Sequence, residues 1–474
     1  MSTFLLCAAA LVLGYFAYGS LLDRLVRPDA SRPTPALSMA DAVDYVPMST
    51  PRLFLIQLLN IAGLGPVFGA ILGALYGPLA LVWIVVGCLF AGGVHDYLSG
   101  MLSLRAGGES LPDVVGRHLG GGFKHLIRVF SLLLMVLVGV VFVLGPAKLL
   151  AKLSGLDAGL WVGLIFAYYF LATILPFDKI IGRLYPFFGA LLLFMAAAMP
   201  IALLGRGYQV LPELALSNLH PDGLPVWPLL FTTVACGAIS GFHSTQSPMV
   251  ARCMKNERDG RLIFYGAMVA EGLIALVWAT VGMSFYPGPE ALGAALAAGG
   301  PAVVVSEACT TLLGPLGGVL AILGVVVLPV STGDTAFRAA RLIVADFCHA
   351  PQRELSKRLF IAVPLFLAGI ALSGGSFELL WRYMGWANQS LATVVLWTIS
   401  ASLARRGNAH WIATAPALFM TAMTSAYILD APIGFNLPMD MATGLGICAS
   451  GVALAFFLRA RRGEAASAAA PDRA

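Results

Sequence analysis

Two short stretches concentrate polar and glycine residues inside long apolar runs, and they occupy matching places in the chain. The first runs Gln57-Leu-Leu-Asn60-Ile61-Ala62-Gly63-Leu-Gly65-Pro66 and on to Gly69. The second runs Gly237-Ala-Ile-Ser240-Gly241-Phe-His243-Ser244-Thr245-Gln246-Ser247-Pro248. Each carries a glycine pair followed by a proline, which suits the first position of a restarting helix. A span broken in this way exposes main-chain groups in the middle of a membrane. The carbonyls that end its first half suit a cation, and the N–H groups that open its second half suit a carboxylate. Candidate contacts to a bound solute are therefore Asn60, Gly63, Gly65, Ser240, Gly241, His243, Ser244 and Gln246. The hydroxyls of Ser244, Thr245 and Ser247 can cap the restarting helix. The alternative is a kink or a glycine-rich packing face.

Ionisable groups inside apolar spans are costly and mark function by default. His95 and Asp96 lie deep in one span and Glu271 in another. With His243 they are candidates to carry a coupling proton, against the alternative of a structural hydrogen-bonded cluster. Asn388 and Gln389 form an amide pair within a later span, placed to line a cavity or to bond across helices. Ser331, Thr332 and Asp334 close a span at Pro329-Val-Ser331-Thr332-Gly-Asp334-Thr335. There Asp334 could serve Na⁺ or a proton, or the triplet could cap a helix end.

These residues need a scaffold, and the composition names it. Hydrophobic residues make up 59% of the chain and charged residues 11%, against about 45–50% and about 25% in soluble domains. Apolar runs of membrane-spanning length recur throughout, which predicts an all-α polytopic membrane protein. Thirteen spans are expected, at 3–22, 53–76, 79–104, 126–147, 158–176, 186–204, 228–251, 262–286, 316–335, 359–373, 377–404, 411–429 and 439–458. Of the 29 Lys and Arg, all except Lys148, Lys152, Arg206 and Arg382 fall in or beside the connections after odd-numbered spans. By the positive-inside rule those connections are cytoplasmic, the N-terminus is outside and the C-terminus inside. The net charge of +5 belongs to these flanks and gives no reason to expect nucleic acid as a partner. The start Met-Ser-Thr has no basic residue, so no cleaved signal is expected. The seven Cys are scattered without a CxxC pair and read as small buried hydrophobes.

The broken spans 2 and 7 run in opposite directions. Pro66 and Pro248 are 182 residues apart, and Asp96 and Glu271 are 175 apart. Two inverted five-span units follow, with one added helix before them and two after. The division is 1–52 (N-terminal helix and linker), 53–204 (first repeat), 205–227 (external loop), 228–404 (second repeat), 405–462 (two C-terminal helices) and 463–474 (disordered tail). Ser110 to Asp113 can cap a short helix before Gly120. Residues 335–349 place Phe337, Ala340, Ile343, Val344 and Phe347 near one side, which suggests an interfacial helix. Asp178, Lys179 and Arg183 follow span 5 and could latch an inner gate, the default being a surface ion pair.

The stretches Asn60–Pro66, Ala91-Gly-Gly-Val-His95-Asp96, Pro176–Pro186, Ile239–Pro248 and Gly385-Trp-Ala-Asn388-Gln389 together resemble the carbon starvation protein A (CstA) family, over most of 50–400. That family is classed with the amino acid–polyamine–organocation superfamily. The resemblance implies a LeuT-type 5+5 inverted repeat and import of pyruvate or peptides under nutrient limitation, with proton coupling proposed. It also implies a Na⁺ site in which Ser331 and Thr332 face carbonyls of Ile61, Ala62 and Gly63. This chain is shorter than the long members, so their C-terminal functions are not expected.

The expected activity is secondary import of a small carboxylate, pyruvate first, coupled to H⁺ or Na⁺ across a bacterial inner membrane. A short peptide is the alternative substrate. A nutrient receptor without net transport is the alternative of another class. No cofactor is called for, no GxxxxGK[ST] or HExxH occurs, and no enzyme is expected. The sequence sets no oligomeric state.

Overall fold

The computed structural model describes residues 1–469 apart from Ala42, Pro176, Leu211, Arg353 and Asn408; for 177–184 and 463–469 it describes backbone alone. The side chains of Asp178, Lys179 and Arg183, and the tail residues 470–474, lie outside this description.

Among the described residues the regular structure is helical. α1 (Ser2–Val26) leads through a linker to α2 (Thr50–Ile61) and α3 (Gly65–Tyr76), which meet at a 60° bend. Then come α4 (Leu79–Arg105), the short α5 (Leu111–Leu119), α6 (Gly121–Ser154), α7 (Ala158–Ile174) and α8 (Phe177–Gly205). A second broken pair follows, α9 (Leu229–Thr233) and α10 (His243–Ala251). The remainder is α11 (Glu257–Phe285), α12 (Pro289–Gly299), α13 (Pro301–Phe347), α14 (Leu355–Leu372), α15 (Phe377–Arg405), α16 (Trp411–Asp430) and α17 (Met439–Ala469). Among the described residues nine helices are long and apolar enough to cross a membrane, and the bent α2–α3 pair makes a tenth. The rest of the thirteen-span order is filled by α7, at 17 residues, by the broken α9–α10, and by α15, which is long but carries Asn388, Gln389 and Ser390.

Burial separates core from periphery. The spanning windows of α4 and α11 are 78% and 83% buried, while those of α1 and α17 are only 17% buried. The inner helices therefore hold the polar residues, and the outer ones present Leu13, Phe187 and Phe456 outward, as a lipid-facing surface does. The first break has a local cause. Ala62 leaves helical geometry at ψ 83°, and α3 restarts with Pro66 in its opening turn, as its missing N–H allows. A Cβ on Gly65 would lie 2.3 Å from the Cys236 Cβ, so the two breaks touch there through glycine.

Two expectations are corrected. Residues 335–347 are not an interfacial helix: they continue α13 without interruption, and Phe337, Arg338, Ala340 and Arg341 are buried. The arginines are tolerated because they meet main-chain oxygens and acids. Arg338 donates to the carbonyls of Ala172 and Leu175, and Arg358 donates to Ile174 at 2.6 Å, so both serve the C-terminus of α7. Arg341 bonds Gln352 and lies 3.7 Å from Asp44. At the short helix, the Ser110 hydroxyl donates to the Asp113 carboxylate at 2.6 Å and does not accept from the helix N–H groups.

The end of the bundle where the basic residues gather is tied by one carboxylate. Glu257, 2% exposed, accepts from Arg32 at 2.8 Å, from Arg105 at 3.0 Å and from the Asp29 N–H at 3.0 Å. Beside it, Arg252 donates to the Gly108 carbonyl at 2.8 Å and stacks over the Tyr45 ring, and the Met48 N–H donates to Cys253. The linker after α1 is thus strapped across the ends of α4, α10 and α13. Replacing Glu257 with Ala is expected to remove about 2 kcal/mol, the scale of a hydrogen bond to a charged group. Arg32→Ala, at a side chain 46% exposed, should cost under about 1 kcal/mol. Thermal unfolding of the purified variants checks the ranking, and equal losses would remove Glu257 from its central place.

Candidate functional site

The second break is held open from one side by α15. α9 stops at Thr233 and α10 resumes at His243. In the unwound stretch the Asn388 Oδ1 accepts from the Phe242 N–H at 2.7 Å and from the Ser240 hydroxyl at 3.1 Å. Gln389 Nε2 donates to the Ile239 carbonyl at 3.2 Å. A Cβ on Gly241 would fall 2.3 Å from the Ala392 nitrogen and 2.4 Å from the Asn388 carbonyl oxygen. Gly241 is therefore demanded by contact with α15. Asn388 and Gln389, expected at the solute, are spent largely on positioning the break, although Gln389 Oε1 has no partner. The N–H groups of Ser240 and Gly241 make no hydrogen bond among the described residues.

Two local expectations fail here. Pro248 is not at the restart but at the sixth position of α10. Helical geometry begins earlier because Ser240 to Phe242 form a lead-in of tight turns, with His243 N–H donating to Ser240 and Thr245 N–H to Phe242. The hydroxyls do not cap it. Ser244 and Thr245 donate back to the carbonyls of Gly241 and Phe242 at 2.6 Å each, and Ser247 to that of His243 at 3.1 Å. Gln246 Nε2 bonds Thr245, leaving its Oε1 unpartnered and buried.

The ionisable candidates converge. Asp96 on α4 contacts His95 Nδ1 at 2.7 Å and His243 Nδ1 at 2.8 Å, and His243 Nε2 lies 3.4 Å from Glu271 Oε2 on α11. All four side chains are fully buried. An ionised carboxylate only accepts, so a charged Asp96 requires a proton on both Nδ1 atoms. The far side of His243 then faces Glu271 with a lone pair on each, unless one proton sits between them. That contact is longer than a good hydrogen bond, and among the described residues neither Glu271 oxygen has a hydrogen-bond partner. The arrangement places a His243–Glu271 contact at which one proton can sit, next to a carboxylate that contacts the other side of the imidazole.

The first break carries a different chemistry. Ser331 and Thr332 on α13 place their hydroxyls 2.8 and 3.1 Å from the Leu59 carbonyl. The Ile61 carbonyl, expected opposite them with Ala62 and Gly63, instead accepts from the Gly63 N–H at 2.9 Å. Asn60 Oδ1 accepts from Tyr185 at 3.1 Å, and Tyr168 donates to Asp334 at 2.7 Å. Asn60 is thus grouped with Asp334, not with the second break. Gln57 is fully buried with both amide atoms unpartnered. Tyr168 and Tyr185 were not singled out from sequence. Tyr185 sits in the Pro176–Pro186 stretch, which was a signal, whereas Tyr168 in an aromatic span offered none. Among the described residues no three His, Cys, Asp or Glu side chains are arranged to hold a metal. Two narrow clefts reach α10 from the basic end, one past Ser103, Thr398 and Ser244 and one past Ser110, Arg252 and Thr245.

Asn388→Ala strips the acceptor from a buried N–H and is expected to cost about 1–3 kcal/mol. Ser390→Ala on the same helix should cost less, and equal melting temperatures would end the clamp assignment. Gly241→Ala should lower the melting temperature without any solute present. An unchanged melting temperature with uptake lost would return Gly241 to the solute.

The sequence pattern of the family described as carbon starvation protein CstA matches residues 1–155, 146–289 and 288–426. An uncharacterised membrane protein of Haemophilus influenzae is 46% identical over 63% of this chain and 95% of its own length. The peptide transporter CstA of Campylobacter jejuni is 25% identical over 87% of this chain and 77% of its own length. The pyruvate/proton symporter BtsT of Escherichia coli is 26% identical over 56% of this chain and 46% of its own length. Among solved structures, MhsT in complex with L-phenylalanine superposes with a TM-score of 0.56 at 14% identity, covering 86% of this chain and 98% of that one. Mhp1, a nucleobase-cation-symport-1 family transporter, gives 0.53 at 17% identity, covering 89% and 97%. The fold is therefore the LeuT-type 5+5 inverted repeat, and the chain belongs to the CstA family.

Proposed function

We propose that the protein is a secondary active importer of a small carboxylate, pyruvate first, driven by H⁺. It lies in a bacterial inner membrane with its N-terminus outside and its basic end in the cytoplasm. The observation that carries this reading is the chain of contacts from Asp96 through His243 to Glu271, placed on the first residue of α10, two and three residues after the open N–H groups of Gly241 and Ser240. A carboxylate at those N–H groups gains the positive end of α10. It also meets the negative charge of Asp96 and Glu271, so it binds best once the His243–Glu271 pair has taken a proton. Substrate and proton then favour each other, which is the linkage a symporter needs. Na⁺ is the second candidate ion, at Ser331, Thr332 and the Leu59 carbonyl, with Asp334 nearby.

A short peptide is the second reading for the substrate, favoured by the long match to a relative named as a peptide transporter. Its amine would seek Glu271 or Asp96, and its carboxylate the same N–H groups. Catalysis and receptor action without net transport are the remaining classes. Accumulation against a gradient by the protein alone separates both from transport.

The test is uptake of labelled pyruvate into liposomes holding only this protein, with H⁺ and Na⁺ gradients imposed separately. An inwardly directed H⁺ gradient should drive accumulation, and Glu271→Gln should reduce that drive about tenfold, within the usual range of a coupling free energy. Drive by Na⁺ alone would move the ion to the Ser331 site. No pyruvate uptake, with uptake of di- or tripeptides, would replace the substrate.

A further inference from the structure

At the basic end, a groove opens between α1, α4 and α15. It is a shallow, open furrow with a cavity volume of about 30 Å³. Its wall is apolar, made by Leu25 and Val26 of α1, Leu98 and Leu102 of α4, and Leu403 of α15. Two guanidinium groups, Arg105 and Arg406, stand with that wall. Their circumstances differ. Arg105 is paired with Glu257 and donates to the Val26 carbonyl at 3.0 Å. Arg406 is exposed, and its side chain has no hydrogen bond or ion pair among the described residues. The charges that act on it are Arg105 and Arg32, both positive. Arg32 and Arg105 share the carboxylate of Glu257, and Arg406 stands outside that pairing.

A basic side chain at the rim of an exposed surface ordinarily stays in water. This one stands over an apolar furrow beside α1, a helix on the periphery of the bundle, where the bilayer and not water is the neighbour. Free phosphate would be served by the arginines alone and would leave the leucine wall without a purpose. A molecule with an anionic head and a hydrocarbon tail uses both.

We propose that this groove binds an anionic phospholipid of the cytoplasmic leaflet, with its phosphate at Arg406 and Arg105 and an acyl chain along Leu98, Leu102 and Leu403. The site is separate from the buried ionisable cluster and rests only on the membrane orientation given above. It supplies the anion that the arginine excess lacks, and it fills the seam between the N-terminal helix and the repeat core. Basic residues near the cytoplasmic surface each add measurably to anionic lipid attraction.

The experiment uses the full-length protein in phosphatidylcholine vesicles with and without phosphatidylglycerol. Retained lipid is counted after extraction in mild detergent, and the melting temperature is read in parallel. Phosphatidylglycerol should be retained and should raise the melting temperature. Arg406→Gln should weaken retention about fivefold, the effect of one surface arginine. Leu102→Trp, which fills the furrow and keeps both charges, should weaken it as well. Arg24→Gln removes an exposed charge from the same end outside the groove and should leave retention unchanged. Equal loss in Arg24→Gln and Arg406→Gln would overturn the proposal in favour of general surface attraction. Full protection by inorganic phosphate without the lipid would overturn it in favour of a free anion, and so would normal retention in Leu102→Trp. None of these outcomes depends on whether pyruvate is carried, so failure here and failure of the transport reading are distinguishable.

Discussion

Asp96 is fully enclosed by protein and contacts the Nδ1 atoms of two imidazoles, one on its own helix and one on α10. A carboxylate in such a place is tolerable only when its partners are held in position. That requirement reaches outward. His243 is the first residue of α10, so the α10 restart cannot slide without breaking the Asp96 contact. The restart is gripped on its other side by Asn388, whose side-chain Oδ1 accepts from the Phe242 N–H. Gly241 lets α15 come close enough to do this, since any side chain there would collide with its backbone. The unwound main chain between α9 and α10 is thus the joint product of one buried charge and one close helix approach.

The two broken helices are alike in geometry and unlike in chemistry. The second is tied to α4 and α11 through titratable groups. The first is tied to α13 and α8 through hydroxyls: Ser331 and Thr332 on the Leu59 carbonyl, and Tyr185 on Asn60. Main-chain carbonyls freed by a break need donors in a membrane interior, and neutral hydroxyls supply them without adding charge. Asp334 stands at the edge of this second network, bonded to Tyr168 through one oxygen only. Each break is therefore linked to helices that must shift if access alternates.

Much of this architecture was legible in the residues. Composition and the placement of Lys and Arg announced a polytopic bundle, and Gly63, Gly65 and Pro66 announced the first break. His95, Asp96, His243 and Glu271 were readable singly because ionisable groups are conspicuous in apolar spans; their convergence was not, since it depends on how α4, α10 and α11 pack. The errors share a cause. Pro248 was taken as a helix start by local rule, but turns at Ser240 to Phe242 begin the helix sooner. The one-sided apolar residues of 335–349 read as an interfacial helix, yet this stretch continues α13 and Arg338 is spent on carbonyls at the end of α7, a partner far away in sequence. Tyr168 drew no attention because an aromatic residue in a span is ordinary until its hydroxyl is seen to meet Asp334.

The ionisable cluster also separates the two candidate substrates by charge. A monocarboxylate brings one negative charge to a site that already holds Asp96 and Glu271. Without an added proton, repulsion in a low dielectric opposes its binding, so protonation and binding must rise together. A peptide at neutral pH brings an ammonium group as well. Its amine could pair with Glu271 only where the 3.4 Å His243–Glu271 contact opens, and would there compete with the proton. On the proposed reading, the same four side chains favour proton symport for an anion and proton displacement for a zwitterion whose amine reaches Glu271. Acidification should strengthen the binding of the first and weaken that of the second, because one proton site faces both.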